Sequence, residues 1–341
     1  MIQVSNQAPL ESWQDFLEKE PEASIYHTPE WKECLERTFR YSPKYIFASD
    51  ENGVLTGILP LFLIDGKIFG KRLVSLPFSH ICGPIGTSES VDLLIQEAKS
   101  IAENMGKIPL TINSPVDYPN FGYTTNYSTY VLDLSNDANV LWKSFDRGSV
   151  RWAINRAKKE EVTVRESRDH VDLKDFFYLN TLTKKDLGVP CHPLSFFTNI
   201  STILPDKYRL YLAERDHEII GGGLMLRYKD KVIYGYGAAK PSELKYHPYN
   251  AFIWQSIQDA CAEGNKSYDF GRCSHSDTGL MDFKRRWGTR ELSLTYSNYP
   301  LQSQSGPNRS GAIVNFGSKI LRLLPLRIYS AMSERIFGEL G

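Results

Sequence analysis

Chemically capable side chains concentrate toward the end of this 341-residue chain. Tyr268-Asp269-Phe270-Gly271-Arg272 is followed by Gly279-Leu280-Met281-Asp282-Phe283-Lys284-Arg285-Arg286-Trp287-Gly288. Asp269 closes an apolar strand just before a glycine turn. A carboxylate there could accept a proton from an attacking amine, or pair with Arg272 or Lys284. The structural alternative is a turn cap that bonds its own backbone. Lys284 stands in a basic run with Arg285, Arg286 and Arg290. A lysine so placed is either a point-charge ligand for phosphate or an ordinary solvated cation.

Other candidates read more quietly. His192, His247 and His275 sit beside proline or in polar loops, with no metal-ligand spacing and no Ser/His/Asp order. Gly221-Gly222-Gly223 has the look of a phosphate loop but leads into a strand, where close sheet packing explains glycine better. Tyr236, in Tyr234-Gly235-Tyr236-Gly237-Ala238, is a strand tyrosine, a type more often core than ligand. The stretch from Phe145 to Lys159 predicts a basic helix, and the spacings of four and seven put Arg147, Arg151 and Lys158 on one face. That row of cations suits an extended phosphodiester or pyrophosphate ligand.

The elements that must position these groups are written twice. His27-Thr28-Pro29-Glu30-Trp31 has its counterpart in His192-Pro193-Leu194-Ser195-Phe196, and Lys44-Tyr45-Ile46-Phe47-Ala48 in Arg209-Leu210-Tyr211-Leu212-Ala213. In each half a glycine then opens a strand, Gly57 to Ile64 or Gly221 to Tyr228. A polar turn follows, then a second strand, a helix ending near Gly106 or Gly264, and a further strand. The order is α+β and predicts two similar domains, 1–140 and 141–300. Residues 301–341 remain, read as a polar linker from Gln302 to Gly311 and an apolar, basic tail from Ile313 that packs on the body or lies at a membrane surface.

Composition narrows the setting. Forty basic and forty acidic residues cancel, which argues against a non-specific coat on nucleic acid and against DNA as a partner. Hydrophobic content of 41% and charged content of 23% are those of a globular chain. No run of residues reaches the length a membrane span needs, and the start lacks the regions of a signal peptide. Five cysteines without a CxxC read as reduced thiols, with no zinc site, in a cytoplasmic protein.

The two C-terminal motifs resemble the closing signature of the FemAB family of tandem GNAT-fold (N-acyltransferase) proteins. Arg151-Trp-Ala-Ile-Asn-Arg-Ala-Lys158, Leu59-Pro-Leu-Phe-Leu63 and Gly70-Lys-Arg-Leu-Val-Ser-Leu-Pro77 are similar to it as well. The similarity covers nearly all of residues 20–300 and is greatest to the FemAB-like branch of exopolysaccharide and protein-sorting (PEP-CTERM) gene neighbourhoods. The resemblance implies two GNAT-like domains sharing a central cleft, the first mainly structural, with a short amphipathic tail. It implies transfer of an acyl or aminoacyl group onto an amine of a cell-envelope precursor, peptidoglycan or polysaccharide. No tightly bound cofactor is implied; the donor is aminoacyl-tRNA or an acyl thioester. The resemblance points to Lys284 and Tyr236 as catalytic; Asp269 joins them as the candidate proton acceptor, and Arg147, Arg151, Arg272, Arg285 and His192 are the candidate substrate ligands. The pyrophosphate-binding pattern of acyl-CoA GNAT enzymes is absent from both halves, which ranks aminoacyl-tRNA first. The alternatives are an acyl-CoA-dependent N-acetyltransferase of exopolysaccharide biosynthesis and a non-catalytic module that binds glycan or lipid carriers.

Overall fold

The computed structural model describes residues 2–114, 116, 118–300 and 318–340. The chain divides into two compact units. The first holds residues up to Tyr127, the chain from Ser293, and the last residues from Gly338; the second holds Ser128–Leu292 and the tail up to Phe337. The expected break at 140/141 is therefore displaced. The chain leaves the first unit inside the strand Gly122–Asp133 and returns inside the strand Arg290–Tyr299. Both crossings fall inside continuous strands rather than in a loop, which is why no linker marks them. The expected linker, 302–311, lies outside the described residues.

In the first unit, Gln3–Ser5, Ile46–Ser49, Leu55–Leu59 and Ile85–Gly86 form an antiparallel sheet in that order. The single strand expected from Gly57 to Ile64 is two. Pro60 has no N–H to give the ladder, and beyond it Phe62–Gly66 joins a different sheet, antiparallel to Gly70–Val74. Helix Ser88–Asn104 buries Leu94, Ala98 and Ala102, and leads to Leu110–Asn113, parallel to Gly70–Val74.

The second unit repeats this plan. Thr163–Ser167, Tyr208–Arg215, Glu218–Tyr228 and Lys231–Ala239 form consecutive antiparallel pairs. Helix Pro248–Ala262 then crosses over to Ser267–Asp269, parallel to the start of Lys231–Ala239. A parallel neighbour needs such a crossover, which is why each unit places its helix between these two strands. Gly221, Gly222 and Gly223 lie inside the strand Glu218–Tyr228, as sheet packing requires: a Cβ on Gly223 would come within 2.5 Å of the Phe252 ring. The expected basic helix is broken in character. Asp146 caps a π-helical turn, Arg147–Arg151, by accepting from Ser149 N at 2.8 Å, and an α-helix, Trp152–Lys159, follows.

The core of the second unit gathers Tyr130, Phe145, Phe252, Tyr268, Phe270 and Trp287. Trp287 is fully buried, 5.2 Å from the Phe145 ring and 5.7 Å from Phe270. The tail packs on this unit: Tyr329 donates to Val189 O at 2.6 Å, and Leu321, Tyr329 and Cys191 form a small cluster.

Because Phe252 is itself fully buried and cannot retreat, Gly223→Ala is expected to cost about 1–3 kcal/mol of stability by overpacking. Urea unfolding of the two proteins measures it, and an unchanged midpoint would contradict the packing role.

Candidate active site

Lys284 lies on the short helix Thr278–Arg285, opened by Asp277 accepting from Leu280 N at 3.1 Å. Met281 and Lys284, three apart, form its inward face. Lys284 is only 3% exposed, so it is not a surface cation of the basic run. Its Nζ donates to the Gly271 carbonyl at 2.7 Å and to the Arg272 carbonyl at 3.1 Å, and lies 5.7 Å from the Tyr130 ring centre. Burial pushes its pKa down to about 8, against the opposing pull of Cys273, Asp269 and Asp277.

The two carbonyls are presented by the turn that follows Ser267–Asp269. Gly271 has φ +72°, a conformation open to glycine. Asp269 Oδ1 accepts from Gly271 N at 2.7 Å and from Thr129 Oγ1 at 2.5 Å. These two bonds hold the turn that presents the carbonyls to the lysine, and Asp269 is not among the described lining residues of the cavity beside Lys284.

That cavity, of about 470 Å³, lies within the second unit. Its cations are Lys284, Arg272 and Lys184; its rings include Tyr234, Tyr236, Tyr249 and Phe283. No Asp or Glu is among its described lining residues. A second cavity, of about 390 Å³, shares His247, Asn250 and Phe283 with the first and is bounded by Gly148, Trp152 and Arg286. Burial, and then Arg156, lower the pKa of His247, so this ring is neutral near pH 7.

Of the expected site residues, Lys284, Tyr236 and Arg272 therefore meet at one cavity. The others do not. Arg285 is exposed and clasps Glu291 through Nε at 3.1 Å and Nη2 at 2.7 Å. Arg147 is exposed and Arg151 half-buried with its Nε shielded from solvent; neither lines a cavity described here, although their neighbours Gly148 and Ser149 do. The π-turn breaks the regular α-helical spacing on which their shared face rested. His192 is buried among aromatic rings, 4.6 Å from Phe196, 4.9 Å from Tyr236 and 3.9 Å from Phe337. Burial pushes its pKa well below the ordinary range, so it packs as a neutral ring supporting Tyr236. His27, its counterpart in the repeat, is likewise buried.

Sequence reasoning missed Lys184 and set His247 aside. The Lys184-Lys185 pair near the end of helix His170–Leu187 reads as routine charge complementing a helix C-terminus. Only the folded chain shows which of the two meets the cavity.

The low pKa of Lys284 carries a sign. Between about pH 8 and the ordinary lysine value of 10.5 the unfolded chain holds a proton that the folded one has lost. Stability contributed by this position thus rises with pH across that window. Relative to Lys284→Met, the wild type is expected to gain stability from pH 8 to 10 in urea unfolding; a pH-independent difference would contradict the buried-amine assignment.

Residues 144–285 match the model of the acetyltransferase (GNAT) domain family. The chain is 22% identical over 316 residues to the UDP-N-acetylmuramoylpentapeptide-lysine N(6)-alanyltransferase of Weissella viridescens, covering 83% of this chain and 90% of that protein. Among solved structures it is similar to FemX, with TM-score 0.69 at 17% identity over 89% of this chain and 98% of the other. It is also similar to a tandem GNAT protein from the clavulanic acid biosynthesis pathway, with TM-score 0.55 at 11% identity over 90% of this chain and all of the other, 100%. The repeated hairpin, crossover helix and parallel strand are thus a tandem GNAT fold, and over most of its length the chain is similar to a FemAB-type alanyltransferase.

Proposed function

We propose that the protein transfers an aminoacyl group from aminoacyl-tRNA to a side-chain amine of a peptidoglycan precursor. The observation that carries this reading is the buried Lys284 amine in a cavity lined by cations and rings without a carboxylate, inside the matched GNAT domain. Lysine acylation on a muramoyl pentapeptide by the Weissella viridescens relative supports the acceptor class.

In the proposed reaction the neutral acceptor amine attacks the ester carbonyl of the donor. A C–N bond forms, the C–O bond to the ribose breaks, and the proton released by the amine ends on the departing ribose oxygen. The Lys284 ammonium, fixed by two carbonyls in a site poor in water, is placed to steady the negative oxygen of the tetrahedral intermediate. Tyr236 and Arg272 orient the acceptor beside it. The reaction as written needs no cofactor. A donor of this kind sets the reaction in the cytoplasm.

The test is transfer of label to a UDP-linked muramoyl pentapeptide from charged tRNA, set against acetyl-CoA. Charged tRNA is expected to support product and acetyl-CoA not. Lys284→Ala is expected to lower turnover on the order of 10²-fold while the fold survives. Productive acetyl transfer with inert tRNA would install the acyl-CoA alternative instead.

We also propose that the tail makes a peripheral contact with anionic lipid. Among the described residues no helix is long and apolar enough to cross a membrane. Opposite its packed side, however, the tail exposes Leu323 at 85%, with Ile320, Ile328 and Met332 also in solvent. Lys319, Arg322, Arg327 and Arg335 accompany them, with Glu334 the exposed acid among the described tail residues. Apolar side chains among cations match the surface of an anionic bilayer. The full chain is expected to float with phosphatidylglycerol vesicles at low salt and Leu323→Asp/Ile328→Asp not; equal flotation of both would remove the lipid role.

A further inference from the structure

Helix His170–Leu187 ends against the cavity. Gly188, at φ +70°, closes its last turn, with Val189 N donating to Lys184 O at 3.0 Å and Gly188 N to Lys185 O at 2.9 Å. One turn earlier, Thr183 Oγ1 lies 3.2 Å from both the carbonyl and the amide of Ala239, tying the helix to the strand Lys231–Ala239 that supplies Tyr234 and Tyr236. The helix end is therefore fixed, and Thr183, Lys184 and Leu187 line the cavity.

The two adjacent lysines have different fates. Lys185 Nζ donates to the Arg322 carbonyl at 2.7 Å. Lys184 faces the cavity and has no hydrogen bond or ion pair among the described residues. Burial lowers its pKa, Cys191 opposes that shift, and the nearby His192 ring is itself kept neutral. With Lys284 and Arg272 it makes three cationic side chains around one half-enclosed, ring-lined space that no described carboxylate enters. A desolvated cation without a partner is costly, and an anionic ligand removes that cost. A carboxylate would offset one charge, whereas a phosphate-class dianion answers the set better and accepts several charge-assisted hydrogen bonds.

We propose that Lys184 is a ligand for a phosphate-class anion, seated with Arg272 in the same cavity as Lys284. The inference rests on reading that cavity as the acceptor site, and it assigns to this end of it the diphosphate of a nucleotide- or lipid-linked acceptor.

The test needs neither donor nor transfer. Calorimetry of the full chain with inorganic pyrophosphate is compared for wild type, Lys184→Met, Lys184→Arg and Lys174→Met, the last removing an exposed lysine from the same helix. Lys184→Met is expected to weaken binding by about tenfold or more, and Lys184→Arg to stay within about threefold of wild type. Lys174→Met should bind as wild type does. UDP and an isoprenoid diphosphate in vesicles separate the two sources, and Lys184-dependent gain for either supports the same seat. Wild-type affinity in Lys184→Met, an equal loss in Lys174→Met, or no pyrophosphate binding by the wild type overturns the proposal. Lys184-dependent pyrophosphate binding without aminoacyl transfer would retire the transfer reading and leave the anion seat standing.

Discussion

The second unit is organised around one buried ammonium. Lys284 can be kept out of water only because the Gly271 and Arg272 carbonyls face it, and those carbonyls face it only because a glycine turn at the end of Ser267–Asp269 aims them. Asp269 stabilises the turn from behind by taking the Gly271 N–H and the Thr129 hydroxyl. Trp287, immediately past the lysine helix, anchors it in the core between Phe145 and Phe270. The motif is thus a buried lysine and its mounting, with turn, cap and tryptophan all serving to hold the amine in place.

Around that amine, charge and hydrophobicity are separated in an unusual way for a protein interior. Buried cations normally find carboxylates, yet the cavity beside Lys284 is walled by tyrosines and phenylalanines and carries positive side chains alone among its described polar charges. The acids that sequence proximity would supply are engaged elsewhere: Glu291 with Arg285, and Asp277 with the helix N-terminus. A site of this kind lowers the pKa of its amines.

The aromatic layer behind the cavity takes in a conspicuous histidine. His192 stands where the repeat places His27, at the start of a helix, and both are buried. His27 bonds the Gly83 carbonyl through Nε2 at 3.1 Å, while His192 is wedged among Phe196, Tyr236 and the tail residue Phe337. The tail therefore does more than hang from the body, since its Phe337 completes the layer on which Tyr236 rests.

The sequence by itself determined the doubled α+β plan, because hairpin, crossover helix and parallel strand follow from local periodicity and glycine punctuation, which each segment carries without its partners. It also placed Arg272 near Lys284, since the turn and short helix that bear these two basic groups are adjacent in the chain. Tertiary structure alone decided the rest. Where the chain passes between units depends on strands that carry no break, and Pro60 divided a strand whose apolar run reads as continuous. The fates of Asp269 and His192 depend on Thr129 and Phe337, far away in the chain. Lys184 enters the cavity, and Lys185 does not, because of the helix rotation fixed by Thr183 on Ala239. Burial and distance between remote residues set pKa, and neither is a property of local order along the chain.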